Sequence, residues 1–311
     1  MPTNQGSATF PVHANDFLSA VETIAQQNIR EVKNTNVIED AFYDYEVEDG
    51  KVIEEAIIEM AEAQAFVPTA EGSQPDLSPL DPTLYVKYFN NWEEKQFKTT
   101  LRKDEIRAII ARGESAEAVA SKILATLTSG EGAYDYAQMR AVLDDNSVGG
   151  NASDDILNMK VPKNMKGVMY AIRKMFNAIK ATNEIGGVPC AQGVPVDDIR
   201  IAISEDVLAL IDMVELASLF NLSKEEILGK VVRLPHDNEA NYYVLVYDRK
   251  ALGRATRTFE YGQDVLGLAR YSNHGLTTSR AYFYNKLFKA ERLDITEAVN
   301  NTIDELMQDA M

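Results

Sequence analysis

The sequence predicts an α+β protein whose domains are discontinuous along the chain. Three observations carry this expectation. Strand-like alternation and helical periodicity come in blocks, not in the regular βαβ succession of a doubly wound sheet. A long helical stretch at 115–145 separates an early strand region from a later mixed one. Strand character returns after a helix-and-strand insert, so one domain is interrupted by another. At 311 residues there is room for roughly two cores of about 150 residues each.

The totals narrow the classes. Apolar content of 45% and charged content of 25% are those of an ordinary globular chain. A net charge of −17 disfavours docking the whole surface onto nucleic acid or an anionic membrane. Cys190 is the single cysteine, so no internal disulfide forms; a structural thiol in a reducing compartment is expected. No apolar run reaches the ~18 residues of a membrane span. The start, MPTNQGSATFPVHANDF, lacks the basic and apolar parts of a signal peptide. The expected setting is the cytoplasm, or something assembled there.

Residues 1–14 read as a loose arm. Asn15-Asp16 then caps a helix with Phe17, Val21, Ile24 and Ala25 on one face. Residues 36–83 hold thirteen acids and one base, Lys51. Asp49-Gly50 is a hairpin signal, 52–63 is ambiguous between strand and helix, and 71–82 is a Pro/Ser/Asp loop. Residues 84–112 reverse the charge, with seven bases against four acids. Here Leu84, Val86 and Tyr88 share one strand face, and Phe97, Thr99 and Leu101 share another. The two runs meet at Asn90-Asn91, which reads as a polar-tipped, two-stranded finger with an acidic arm and a mildly basic return.

Val119, Ile123, Leu127, Tyr134 and Leu143 keep helical phase across 115–145, with a kink expected at Gly130 and Gly132, each costing about 1 kcal/mol relative to Ala. Residues 146–155 form a loop. An amphipathic helix at 165–181 carries Val168, Ile172, Met175, Phe176 and Ile179 on its apolar side. After a Gly/Pro-rich stretch, 200–204 is a strand, EDVLALIDMVELASLF is helical, and Ser223–Glu226 is a capping box. The stretches 230–235 and 241–248 are β-branched and aromatic strands, followed by a Tyr-rich, strand-prone region at 257–291. The last helix places Val299, Ile303, Leu306 and Ala310 on one side, to pack on its own domain, a neighbour or a minor protein.

Motifs for chemistry are missing. There is no G-x-G-x-x-G after a strand, and Gly229-Lys230 is followed by Val231, which has no hydroxyl for a metal-bound phosphate. H-E-x-x-H and G-x-S-x-G are absent. His13, His236 and His274 lie far apart. A Cys190/His274 dyad is conceivable, but a histidine packed in a sheet is the better reading of His274. The stretch from Asp144 to Asp155 vaguely resembles a calcium loop, but Val148 holds a ligand position and the last place lacks the bidentate Glu. An Asx-rich loop is preferred. The acidic run at 36–83 reads as a solvated face. Lys160, Lys163, Lys166, Arg173, Lys174 and Lys180 cluster around the amphipathic helix; they could touch nucleic-acid phosphates, but a solvated face or a contact with an acidic neighbour is preferred. Tyr85, Tyr88, Phe89, Trp92 and Phe97, with Lys95, Lys98 and Arg102, read as anchors for a protein partner.

Two stretches carry a resemblance. DGKVIEEAIIEMAEAQAF followed by LYVKYFNNWEEKQFKTTLRKDEIRAII resembles the extended loop (E-loop) of major capsid proteins of tailed double-stranded-DNA phages. DDIRIAISEDVLALIDMVELASLFNLSKEEILGKVVRLP followed by YYVLVYDRKAL resembles the axial domain of short-tailed phages of the phi-twenty-nine type. Its pattern here runs through Ala217, Phe220, Asn221, Ser223, Gly229, Val231, Val244, Val246, Asp248 and Arg249. The resemblance covers about residues 45 to 290.

The resemblance implies the Hong Kong-type capsid fold. Its parts would be an N-terminal arm at 1–40, an E-loop at 41–104, and a peripheral domain with a spine helix at 105–164. An axial domain at 165–254, return strands at 255–295 and a C-terminal helix at 296–311 would follow. No immunoglobulin-like domain or long prosegment is seen, so a separate scaffolding protein is implied. The expected role is structural: pentamers and hexamers of an icosahedral or prolate head around double-stranded DNA, assembled in the host cytoplasm. The expected partners are further copies, scaffold, portal and packaged DNA without sequence preference, and no membrane. No catalytic, cofactor-binding or metal-ligating residue is expected, and no cofactor. The alternatives are an encapsulin-like compartment shell and a cytoplasmic enzyme working through carboxylates.

Overall fold

The computed structural model describes residues 38–48, 51–59, 83–102, 116–150, 161–182, 184–185, 188–189, 193–211, 230–235, 242–264 and 271–309. The expected N-terminal arm and helix, the Asp49-Gly50 turn, the 71–82 loop, the Ser223–Glu226 capping box, Cys190, His13, His236 and Lys160 lie outside them. So do Ala217, Phe220, Asn221 and Gly229. The chain divides into two units. The first comprises Met1–Asn36, Trp92–Ala137 and Thr256–Arg280; the second comprises Val37–Asn91, Gln138–Ala255 and Ala281–Met311.

Twelve strands are described. They are β1 (Tyr43–Glu46), β2 (Ile53–Ile58), β3 (Leu84–Phe89), β4 (Trp92–Arg102), β5 (Glu184–Ile185), β6 (Val188–Pro189), β7 (Ile199–Ser204), β8 (Val231–Leu234), β9 (Tyr243–Asp248), β10 (Leu252–Asp264), β11 (Tyr271–Tyr284) and β12 (Ala290–Asp294). The described helices are α1 (Ala116–Asp144), α2 (Met165–Lys180), α3 (Glu205–Leu210) and α4 (Thr296–Asp309). One four-stranded sheet has the order β1-β10-β11-β4 and another has the order β12-β9-β7-β8; β2 pairs with β3, and β5 with β6.

In the first unit, α1 lies along β4. The Phe97 and Tyr134 rings are 6.0 Å apart, and Tyr134 donates a hydrogen bond to Glu93. A Cβ on Gly130 would stand 3.6 Å from Phe97, ordinary contact. The helix runs unbroken through Gly130 and Gly132, one element and not two. Each glycine weakens a helix only modestly, and packing on β4 outweighs that. The buried face of α1 carries charge. Arg280 on β11 places its two terminal nitrogens 2.6 Å from Glu131 and 2.6 Å from Asp135, all three buried.

In the second unit, β7 pairs antiparallel with β9 and parallel with β8, and β12 adds to β9 from Ala290↔Tyr247 to Asp294↔Tyr243. The return strands therefore do not all stay with β10 and β11. Residues 290–294 join the sheet that the sequence assigns to residues 165–254, because Ala290 and Leu293 bury their side chains there. On this sheet lies α2. The Asn164 side chain accepts from the Gly167 N–H at 2.9 Å and caps it. Its apolar residues Val168, Ile172, Met175, Phe176 and Ile179 are all buried against Ile199, Ile201, Ile203, Val244 and Val246. Each such residue contributes about 1.5–3 kcal/mol. The first turn of α4 closes the same core with Ala298 and Val299.

Arg292 of β12 fastens the end of α1 to this sheet. Its guanidinium donates to the Leu143 carbonyl at 2.8 Å and lies 3.7 Å over the Tyr243 ring. The Tyr243 hydroxyl donates to Asp144 at 2.8 Å. A cation on the last carbonyls of a helix satisfies free acceptors and opposes the negative end of its dipole. Gly149 follows with φ +84, and a Cβ there would be 2.9 Å from the Arg292 backbone nitrogen, so glycine is required on both counts.

Candidate assembly surfaces

The strand pair β2–β3 carries five of the ten exposed large apolar side chains among the described residues. Its register runs from Ile53↔Phe89 to Ile58↔Leu84. Directly paired residues share a face, so Ile53, Phe89, Glu55, Lys87, Ile57 and Tyr85 form one face. Glu54, Tyr88, Ala56, Val86, Ile58 and Leu84 form the other. The root of the first face is fixed. Phe89 is 7% exposed and stacks on Phe283 at 4.1 Å. Tyr45 donates to Glu55 at 3.1 Å, and Lys87 lies 5.2 Å over the Phe89 ring. The second face is open: Tyr88 is 62% exposed, and Ile58, Leu84 and Val86 are exposed beside it.

This differs from the finger the sequence suggests. The runs on either side of Asn90-Asn91 do not pair with each other: β3 pairs with β2, and β4 pairs with β11. The acidic and basic arms do meet, but as β2 and β3. Turn chemistry marks where a chain can bend and leaves open which strand lies alongside. The expected contact residues therefore divide. Tyr85 and Tyr88 stand on the ribbon, whereas the Phe89 ring is used inside its own unit.

Trp92, Phe97, Lys95, Lys98 and Arg102 belong to β4 in the first unit. Trp92 is half-buried under Arg257, which lies 5.6 Å from its ring centroid. Phe97 is half-buried against Tyr134, and Lys95 lies 5.4 Å over the Tyr134 ring. Lys98 is exposed and lines a shallow groove of about 530 Å³ with Gln96, Thr100 and Asn273. Arg102 is exposed.

The basic residues of α2 lie away from its core. Lys166, Arg173 and Lys180 are exposed and Lys174 is half-buried. Lys163 pairs with Glu297 at 3.4 Å.

Sites for chemistry do not come together. His274 is buried in β11, its ring bonded to the Tyr261 hydroxyl, and burial holds its pKa below the ordinary histidine value. Asp145 accepts from the Ser147 N–H at 2.8 Å, an Asx turn in place of a metal ligand. Among the described residues no cluster of three or more His, Cys, Asp or Glu could hold a metal ion. None of the described helices is long and apolar enough to cross a membrane.

The profile of the Phi29-like phage major capsid proteins matches residues 2–290. The chain belongs to that family. As a phage major capsid protein it is a structural component of the virion, and it self-assembles into the shell. Solved structures agree on the fold. The capsid structure of Staphylococcus phage Andhra matches with a TM-score of 0.57 at 10% identity, over 79% of this chain and 80% of that one. The capsid of cyanophage P-SCSP1u gives 0.50 at 11% identity, over 85% and 89%. A structure of the head fiber and inner core protein gp22 of native bacteriophage P68 gives 0.50 at 13%, over 82% and 83%. The capsid protein therefore has the Hong Kong-type capsid fold. No curated protein sequence matches it.

Sequence reasoning missed the Arg280–Glu131–Asp135 cluster. A signal was present. Ile123, Leu127, Glu131, Asp135, Met139 and Leu143 follow one another at four-residue steps, and all are buried. Two acids on an otherwise apolar helical stripe call for a buried cation.

Proposed function

We propose that the β2–β3 ribbon is the E-loop of this capsid protein, and that it lies across the neighbouring subunit in pentamers and hexamers of an icosahedral or prolate head. On this reading α1 is the spine helix of a peripheral domain, and α2 with its sheet forms the axial domain. The observation that supports it is the contrast along one ribbon. Ile53 and Phe89 bury the root, while Tyr88, Val86, Ile58 and Leu84 keep a contiguous apolar face in water. A two-stranded ribbon is marginal alone and gains stability from a surface laid against it.

Charged contacts at the rim of such an interface contribute about 0–1 kcal/mol each. Weak contacts repeated over many copies let misplaced subunits dissociate. The acidic balance of −17 limits adhesion to the packaged double-stranded DNA, which is touched without sequence preference. Assembly takes place in the host cytoplasm on a separate scaffolding protein, around a portal.

The test is co-expression with the scaffolding protein, followed by light scattering and negative-stain imaging. Closed shells are expected. A chain that stays monomeric at every concentration and with every scaffold tried would overturn the reading.

A further inference from the structure

The outer stripe of α2 and the outer half of α4 are complementary in charge and in shape class. Along α2, Lys166, Tyr170, Arg173, Asn177 and Lys180 follow at steps of four, three, four and three, and all are exposed. That spacing keeps residues on one helical seam. The helix MKGVMYAIRKMFNAIK contains no acid. Tyr170 sits near the middle of the seam at 56% exposure, between the cations.

The opposite composition occurs in α4, TEAVNNTIDELMQD, which contains no base. Its first turn is anchored by Ala298 and Val299 in the core, and its second by Asn301, which donates to the Lys163 carbonyl at 3.0 Å. Beyond Asn301 most of the described side chains are exposed. Ile303 is 40% exposed and Met307 64%, one turn apart on the same side, with the exposed acids Asp304 and Glu305 between them in sequence. Among the described residues neither acid has an ion-pair partner.

Two physical arguments say that this half of α4 is completed from outside. About two largely exposed turns at the end of a short helix are marginal in water unless an apolar face is packed. Carboxylates near the C-terminal end also oppose the helix dipole, an unfavourable placement that cations laid alongside would relieve. The matching surface, a cationic seam with one aromatic anchor, is carried by α2 of the same sequence.

We infer that in the assembled shell the outer half of α4 of one copy docks on the α2 seam of the next. Ile303 and Met307 pack on Tyr170, and Asp304 and Glu305 face Lys166 and Arg173. The contact is heterologous, head to tail, the kind that generates a ring where the rotation between copies closes. It rests on the shell reading above. It assigns the basic cluster of α2 to a neighbouring subunit and not to packaged DNA. Because its charged part lies at the rim, it weakens as salt rises.

The experiment uses the full chain in shell assembly. The charge-reversed pairs Asp304→Lys with Glu305→Lys, and Lys166→Glu with Arg173→Glu, alter only exposed side chains, and retained thermal stability of the subunit verifies folding. Each pair is expected to raise the protein concentration needed for shells by about tenfold, and the four changes together to restore it to within about threefold. In parallel, a Tyr170→Cys chain is co-assembled with an Ile303→Cys chain and oxidised, with the unsubstituted chain as control for Cys190. Disulfide-linked dimers of the two variants are expected within particles. Shells forming at the unsubstituted threshold in both reversal pairs, with no such dimers, overturn the contact alone. So does an α2 reversal that assembles normally but fails to retain DNA. An unsubstituted chain that forms no shell overturns the capsid reading, and this contact with it.

Discussion

Phe89 and Phe283 stack with ring centroids 4.1 Å apart and planes 21° from parallel, and this pair fixes the root of the β2–β3 ribbon. The fit is tight from the other side too, since a Cβ on Gly253 would stand 2.3 Å from the Phe283 ring. Phe89→Ala removes one ring and leaves a cavity, at a cost of about 3–5 kcal/mol. Gly253→Ala pushes the second ring aside, at a cost of about 1–3 kcal/mol. Urea unfolding of the unassembled subunit measures both losses, and both variants should give fewer closed shells.

Tyr88 tests the other end of the same ribbon. Its side chain faces water in the isolated subunit, so Tyr88→Ser should change subunit stability by no more than about 0.5 kcal/mol. As an aromatic anchor in an interface it should nevertheless raise the concentration needed for assembly by about tenfold or more. Thermal unfolding and sedimentation velocity separate the two effects. Loss of stability with unchanged assembly would place the residue in the subunit core.

Arg280 holds two buried carboxylates in the first unit, at 2.6 Å each. Arg280→Met removes the guanidinium that both buried carboxylates contact and should cost about 3–5 kcal/mol. Adding Glu131→Gln and Asp135→Asn should recover much of that loss, because the uncompensated charge is what makes the single change expensive. Denaturant midpoints of the single and triple variants decide it.

Asp248 gives a pH prediction. Burial raises its pKa from 3.8 to about 6, although its side chain accepts the Lys250 N–H at 3.0 Å. With the folded value above the unfolded one, the folded state binds the proton more tightly. The ionised carboxylate therefore destabilises the fold fully above about pH 6, and the penalty fades as pH falls toward 4. Asp248→Asn keeps an acceptor oxygen and removes the charge. It should stabilise the subunit by about 1–3 kcal/mol at pH 7.5 and by almost nothing at pH 4, measured by urea unfolding at both.

Local pattern carried much of the fold. Every apolar residue read on the 165–181 helix is buried, since a 3.6-residue stripe has one face to hide. The strands at 199–204, 231–234 and 243–248 were legible from their β-branched and aromatic content. Pairing was not legible. Nothing near Leu84 says that its partner is Ile58 and not a residue of β4, because register is settled by contacts distant in sequence. The return of residues 290–294 to the β9 edge was hidden for the same reason. Of the expected contact surface, Tyr85 and Tyr88 are exposed on the ribbon. Phe89, next along the same strand, is buried by Phe283, nearly two hundred residues further along the chain.

The most direct measurement is a cryo-EM map of the assembled shell at side-chain resolution. It should show the face bearing Tyr88, Val86 and Ile58 seated on an adjoining subunit, with little of it left in contact with solvent. A map in which that face stays uncovered, or folds back on its own chain, would contradict the account.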